Sequence, residues 1–284
     1  MELVAGLDDI ATERQLTSGW SFVVFPTNEA AQFSAQAQRL LPSGAPEFHA
    51  AKLQYKNPTE CQAYSDFLSL LRKTAETPGS LLAFSLKEQT WDAAFTSFVD
   101  RLVAGILASV GITGKTVADG AKDAAPSLFT LQRLLNSPSW TSAVVGRLEM
   151  DQNTTTALFA SQTVAVKGGS LPATRLLEIL AEAYRKQQFP QSPALDRSAI
   201  AIVDSSASFL VQAADVLGNF AMNYLIHNLA PTTPGRIAKA RIFESVFQDV
   251  LPQTQFGQLA SLNGPQLELG LKNAGALTFE VKHA

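Results

Sequence analysis

The segment DRSAIAIVDSSASFLVQAADVLGNFAMNYL, residues 196–225, joins a short strand to a helix through an abrupt polar stop. Residues 199–203 form an apolar run with β-branched members, which predicts an interior strand. The following Asp-Ser-Ser, residues 204–206, favours turns and helix caps and ends that strand. Apolar residues then recur at helical spacing from about Ser208 and predict a helix. The stripe that this helix would bury consists of Leu210, Ala214, Leu217, Ala221 and Leu225.

One carboxylate, Asp215, lies at the edge of this apolar stripe and not on the opposite side of the helix. Removing a carboxylate from water is costly unless a positive group meets it, so a metal ion, a basic partner or an open cleft is expected there. Gly218, one turn further on, is expected to leave space beside Asp215. The alternative is that Asp215 faces solvent from the rim of a packed helix.

Composition limits the classes of protein to which the chain can belong. With 284 residues, 46% of them hydrophobic, it predicts one large domain or one domain with an appendage. A net charge of −3 argues against a protein that binds nucleic acid through its overall charge. Binding of nucleic acid would therefore need a local basic patch or bridging metal ions. The single cysteine, Cys61, excludes an internal disulfide, and only three histidines argue against a zinc site. With no secretory pattern and no membrane-spanning window, we expect a cytoplasmic location and no membrane partner.

The rest of the chain alternates between strand and helix patterns, which predicts an α/β fold. Further strands are predicted at residues 3–7, 19–25, 80–86 and 143–150. Further helices are predicted at residues 28–41, 59–73, 90–110, 127–135, 174–188 and 237–250. Residues 111–125 are predicted to form a loop, and residues 152–156 a polar turn. Gly114-Lys115-Thr116 does not complete a phosphate-binding loop, because Ser109 stands where that motif requires glycine.

Aspartates gather at the predicted strand ends. Asp8 and Asp9 follow the first strand, Asp151 the fourth and Asp204 the fifth, and Asp215 follows on the next helix. Because the carboxyl ends of parallel strands meet at one edge of a sheet, these side chains are expected to converge. Converging carboxylates repel unless a cation neutralises them, and oxygen ligands favour Mg²⁺ or Mn²⁺. Two such ions support phosphodiester hydrolysis. The alternative is that each aspartate only forms a turn.

Four short motifs and one aspartate together resemble a large family of bacterial proteins with an RNase H-like fold. The motifs are Val203-Asp204-Ser205 with Gln212-Ala213-Ala214-Asp215, then Glu47-Phe48-His49-Ala50, and an altered first motif, Leu7-Asp8-Asp9-Ile10. Asp151 falls where the family often carries an aspartate at the end of its central strand. The first motif departs from the family's Asp-Glu-Ser, because Asp9 replaces the glutamate and Ile10 the serine.

The resemblance covers residues 3–225 in order and spacing, and it implies a mixed sheet flanked by helices. We therefore expect an RNase H-like domain at residues 1–228. Residues 229–284 would form a C-terminal extension, either packed on that domain or used to contact a protein partner or a second copy of the chain.

The resemblance also implies a metal site for Mg²⁺ or Mn²⁺. The first ligand would be Asp8 or Asp9, and the other expected ligands are Glu47, Asp151, Asp204 and Asp215. His49 would assist proton transfer or orient a ligand. Its alternative role is that of a hydrogen-bonded histidine at a helix start.

Two functions follow as expectations. The first is a metal-dependent nuclease that hydrolyses RNA or DNA, with a defence or toxin system as its expected setting. The second is a non-catalytic RNase H-like module that binds a protein or nucleic-acid partner. The carboxylate set favours the first, and the altered first motif and low positive charge favour the second.

Overall fold

The structure is a computed structural model, and it describes residues 2–11, 18–86, 93–112, 114–135, 144–159, 161–188, 200–226, 233–249 and 276–279. The strands are β1 Glu2–Ala11, β2 Ser18–Pro26, β3 Leu81–Leu86, β4 Val144–Asp151, β5 Thr163–Val166, β6 Gly169–Pro172, β7 Ile200–Val203 and β8 Ala276–Phe279. The helices are α1 Thr27–Leu40, α2 Pro58–Ala75, α3 Ala93–Ser109, α4 Lys115–Leu135, α5 Gln152–Phe159, α6 Ala173–Gln188, α7 Phe209–Ile226 and α8 Pro234–Phe247.

The chain folds into two compact units. Unit 1 comprises Met1–Ala5 and Trp91–Asp204, and unit 2 comprises Gly6–Thr90 and Ser205–Ala284. Parallel and antiparallel strand pairs both occur, and helices pack on the strands within each unit. The predicted fold class, a mixed sheet flanked by helices, is confirmed.

In unit 2 the strand order is β1-β2-β3-β8. Strand β2 pairs antiparallel with β3, so that Gly19 lies opposite Leu86 and Val24 opposite Leu81. Strand β3 also pairs antiparallel with β8. Helices α1, α2, α7 and α8 belong to this unit, and α7 packs on β2.

Aromatic side chains fill the core between these helices and strands. Helix α2 begins where Asn57 accepts hydrogen bonds from the N–H groups of Thr59 and Glu60, which caps its first turn. The ring of Phe67 on this helix stacks on Phe48 with 4.1 Å between centroids. Phe48 thereby anchors the segment that carries the Glu-x-His motif.

Helix α7 lies unusually close to the strands of unit 2. All five members of its predicted apolar stripe are buried. A Cβ added at Gly218 would approach Ile10 to 2.7 Å and Ser21 to 2.8 Å, and one added at Gly6 would overlap the backbone of Leu210. Gly218 therefore permits close packing, and the prediction that it leaves space beside Asp215 is wrong.

In unit 1 the strand order is β7-β4-β1, with β1 represented by its first residues. Strands β4 and β7 are parallel, and Asp151 pairs with Val203. Strands β5 and β6 form a separate antiparallel hairpin. Among the strands that the structure describes, β7 lies at the edge of its sheet and is partly exposed, so the prediction of an interior strand is wrong.

Three further local predictions are corrected. Helix α4 starts at Lys115, inside the stretch predicted as a loop, because its buried residues Ala121, Ala124, Ala125 and Leu128 recur at helical spacing. Residues 152–156 belong to α5 and not to a turn. Asp8 and Asp9 lie inside β1 and not after it, because the strand continues to Ala11 and buries the side chain of Ile10.

Helix α8 of the predicted C-terminal extension belongs to unit 2, where it packs against α2 and α7. The predicted boundary at residue 228 stays a prediction, and residues 250–275 lie outside the described part of the chain. In the part of the chain that the structure describes, no helix is long and apolar enough to cross a bilayer.

Candidate functional site

The candidate site lies in unit 2, where residues 47–52 contact the start of α7. Gln212, which is 1% exposed, joins the two, because its Oε1 accepts from the N–H of Phe48 at 3.0 Å and its Nε2 donates to the carbonyl of Ser205 at 2.8 Å. Tyr64 holds the next residue, since the N–H of His49 donates to its hydroxyl at 3.1 Å and that hydroxyl donates to the His49 carbonyl at 2.9 Å. Burial raises the pKa of Tyr64 to about 12, so it stays a donor at neutral pH. These bonds fix the backbone that carries the motif.

The first contact of the site joins His49 to Asp215. The Nδ1 atom of His49 lies 3.0 Å from Oδ2 of Asp215, and the same oxygen accepts from the N–H of Ala50 at 2.7 Å. Nδ1 also lies 3.3 Å from the backbone nitrogen of Ala51, but it cannot donate to Asp215 and accept from Ala51 at once. The shorter contact to a charged acceptor favours donation to Asp215. This hydrogen bond to Asp215 raises the pKa of His49, although burial opposes the shift.

Glu47, Lys52 and Ser205 form a second cluster beside it. Nζ of Lys52 lies 2.6 Å from Oε1 of Glu47, and Oγ of Ser205 donates to Oε2 at 2.5 Å. Burial alone would raise the pKa of Glu47, but hydrogen bonds from Lys52 and Ser205, with the nearby positive charges of Lys52 and His49, hold it below its ordinary value. Glu47 is therefore an ionised carboxylate with a donor on each oxygen.

Exposure decides which of these groups a solute can reach. The side chain of Glu47 is 8% exposed and that of Asp215 16%, whereas His49 is 39% and Lys52 58% exposed. The carboxylates therefore lie behind the two basic groups. With Nδ1 directed at Asp215, the Nε2 atom of His49 is the nitrogen that can exchange a proton with a bound molecule.

Among the described residues, no group of three or more His, Cys, Asp or Glu side chains could hold a metal ion. Glu47 already accepts a hydrogen bond from Lys52, and Asp215 accepts one from the N–H group of Ala50. A divalent ion would have to displace Lys52, Ser205 or His49 from these oxygens, so the donor set does not fit Mg²⁺ or Mn²⁺.

The aspartates of unit 1 have local structural roles. Asp151 ends β4, and its Oδ2 accepts from the N–H groups of Asn153 and Thr154 at 2.9 and 3.3 Å, which caps α5. Asp204 follows the neighbouring β7 and accepts from Gln152 at 3.1 Å. The expectation that these two strand ends lie side by side is thus met within unit 1.

Asp8 and Asp9 have adjacent positions on β1. Oδ1 of Asp8 accepts from the N–H of Asp9 at 2.9 Å, and Asp9 is exposed. Their role as first metal ligands stays a prediction, as does that of Asp151 and Asp204.

Lys52 and Tyr64 were not among the predicted site residues, whereas Ser205 and Gln212 belong to the motifs that carry the family resemblance. Lys52 resembled the other scattered surface lysines, although it follows Glu47 by only five residues. Gln212 shares a helix face with Asp215, three residues on, and the motif Gln212-Ala213-Ala214-Asp215 marks the pair in the sequence. His49 is hydrogen-bonded and precedes the 3-10 turn Ala50–Lys52, as its alternative role at a helix start predicts, and its role in proton transfer stays a prediction.

Neither models of known protein families nor curated proteins nor solved structures gave a match to this chain.

Proposed function

We propose that the protein hydrolyses phosphodiester bonds in nucleic acid and that His49 transfers the proton. The observation that carries this proposal is the contact of 3.0 Å between His49 Nδ1 and Asp215 in a ring that stays 39% exposed. The resemblance to the RNase H-like family supports the substrate class, and the exposed ammonium group of Lys52 suits an anionic substrate.

The chemistry assigns a role to each group. Asp215 accepts a hydrogen bond from the Nδ1–H group of His49 and so fixes the ring tautomer, which leaves Nε2 of His49 as the base. The raised pKa of His49 makes its ring a stronger base than a free imidazole, which suits proton transfer. It takes a proton from the attacking water as the new P–O bond forms, and it returns a proton to the leaving oxygen as the old bond breaks. Lys52 stabilises the negative charge on the phosphoryl oxygens.

A divalent cation would supply further positive charge at the leaving oxygen. Glu47 and Asp215 are the carboxylates of the candidate site that would bind such an ion. Their contacts to Lys52, Ser205 and His49 do not leave room for it. Proton transfer and charge stabilisation are therefore assigned to side chains of the protein alone.

The second candidate function is a non-catalytic module that binds a nucleic-acid or protein partner. The ion pair between Lys52 and Glu47 favours it, because an internally neutralised carboxylate is typical of a structural cluster. Such a module would bind nucleic acid without cutting it, or would bind a protein partner instead.

A cleavage assay tests the proposal. Labelled single-stranded, double-stranded and hybrid substrates are incubated with the full chain in Mg²⁺, in Mn²⁺ and in EDTA. We expect cleavage by wild type and a loss of at least about a hundredfold in His49→Ala and Asp215→Asn, since general acid–base groups contribute about 10²–10⁴-fold. Asp66→Asn is the matched control, because Asp66 is exposed on α2 and accepts a hydrogen bond from Gln62, which is not part of this cluster. Equal rates in all four proteins would refute the role of His49, and an absence of cleavage by wild type would favour the binding module.

A further inference from the structure

The fold sets the backbone position of Lys52 beside the candidate site. It ends the 3-10 turn Ala50–Lys52, and its own N–H donates to the carbonyl of His49 at 2.9 Å. That carbonyl also accepts from the buried Tyr64. The turn therefore brings Lys52 back beside Glu47, where its Nζ lies 2.6 Å from the carboxylate.

Both oxygens of Glu47 are in use. Lys52 occupies Oε1 and Ser205 occupies Oε2, and the carboxylate is 8% exposed. A bound Mg²⁺ would need a carboxylate oxygen at about 2.0–2.1 Å, which would bring it within a few ångströms of the Lys52 ammonium group. Two like charges at that separation repel strongly in a partly buried place.

We propose that Lys52 is a built-in cation that takes the place of a divalent ion at Glu47 and excludes such ions from it. The charges support this assignment, because the ammonium group of Lys52 balances the carboxylate of Glu47 at 2.6 Å. Removal of Lys52 leaves Glu47 as a nearly buried carboxylate with only a neutral donor, which a divalent ion would then stabilise. The part that Lys52 plays in catalysis rests on the proposed function, whereas the exclusion of ions does not.

Binding of Mn²⁺ tests the proposal without any measurement of cleavage. The probe is free Mn²⁺, titrated into the full chain at pH 7.5 and followed by its electron paramagnetic resonance signal. We expect Lys52→Ala to gain a saturable site at least about tenfold tighter than any site in wild type. Lys56→Ala is the matched control, because Lys56 is an exposed lysine four residues on that contacts a tyrosine ring and not Glu47. It should bind Mn²⁺ as wild type does.

A double variant assigns the new site. Adding Glu47→Gln to Lys52→Ala should abolish the gain, and Lys52→Arg should not produce it, since arginine keeps the positive charge. Lys52→Met keeps the aliphatic stem and carries the same expectation as Lys52→Ala, so a folding defect in one variant is separated from the effect of charge.

Two results would overturn the proposal. One is a wild-type Mn²⁺ site that Glu47→Gln abolishes, and this result depends on no Lys52 variant. The other is that folded Lys52→Ala and Lys52→Met both bind Mn²⁺ as wild type does. Absence of nuclease activity would remove the proposed function and leave both of these results meaningful.

Discussion

Substitution of Gly6 by alanine tests the close approach of β1 to α7. The added Cβ would overlap the backbone carbonyl of Leu210 and lie 2.7 Å from its Cβ, whereas carbon atoms in contact are about 3.5–4.0 Å apart. The strand and helix would have to separate by about 1 Å, which forfeits a quarter to a half of the attraction at each contact between them. Overpacking commonly costs about 1–3 kcal/mol, and because the obstacle is backbone we expect about 3 kcal/mol.

The same displacement would reach the candidate site. Leu210 precedes Gln212 by two residues and Asp215 by five, so a shift of α7 by about 1 Å would lengthen the 2.7 Å hydrogen bond from the N–H of Ala50 to Asp215 beyond the usual range. We therefore expect Gly6→Ala to lower the free energy of unfolding and to weaken the pairing of Asp215 with His49 together.

Urea unfolding monitored by circular dichroism measures the effect on stability. Gly105→Ala is the control, because Gly105 lies in α3 with open space around its Cβ position. Alanine is the better helix former by about 0.8–1.0 kcal/mol, so this control should raise stability. If Gly6→Ala lowers the free energy of unfolding by less than about 1 kcal/mol, the close contact between β1 and α7 is refuted.

Three further predictions concern single side chains. Ser21→Ala should raise the free energy of unfolding by about 1 kcal/mol in a urea titration, because the Ser21 hydroxyl is buried and has no hydrogen-bond partner among the described residues; a loss of stability would show that the hydroxyl is satisfied. His49 has a raised pKa in the folded state, so its contribution is fully present below its ordinary pKa of about 6.5 and is lost as the pH rises through the folded value. The stability gap between wild type and His49→Gln should thus be wider at acidic than at alkaline pH, and a gap that widens with pH would contradict the pairing. Arg72→Met should loosen the end of α8 and speed amide hydrogen exchange at residues 246–249, because Arg72 donates to the carbonyl of Val246 at 2.6 Å and to Asp249 at 2.5 Å; unchanged exchange would exclude that role.

Periodic burial made most of the fold predictable. The apolar stripe of α7 is buried as its spacing requires, and β2 and α2 lie within two residues of their predicted bounds. Prediction failed where a polar composition hid a packed helix, as in α4 and α5. The start of α5 depends on Asp151, whose side chain caps two N–H groups, and a capping aspartate at a strand end has the same sequence pattern as a turn.

The candidate site was predictable only in part. The Glu-x-His motif and Asp215 were singled out, and the structure brings His49 and Asp215 together. The partners of Glu47 were missed, because Lys52 reaches it through a 3-10 turn and Ser205 lies 158 residues away in the sequence. Carboxylate spacing alone cannot separate a metal site from an ion pair, since both need the same buried negative charge.

The most direct test of the site is the titration of the His49 imidazole, followed by nuclear magnetic resonance of the ring protons and assigned with His49→Gln. We predict a pKa above the ordinary value of about 6.5 in wild type and a clear fall in Asp215→Asn, because the amide keeps the shape of Asp215 and removes its charge. Equal pKa values of His49 in the two proteins would contradict the pairing on which the proposed proton transfer depends.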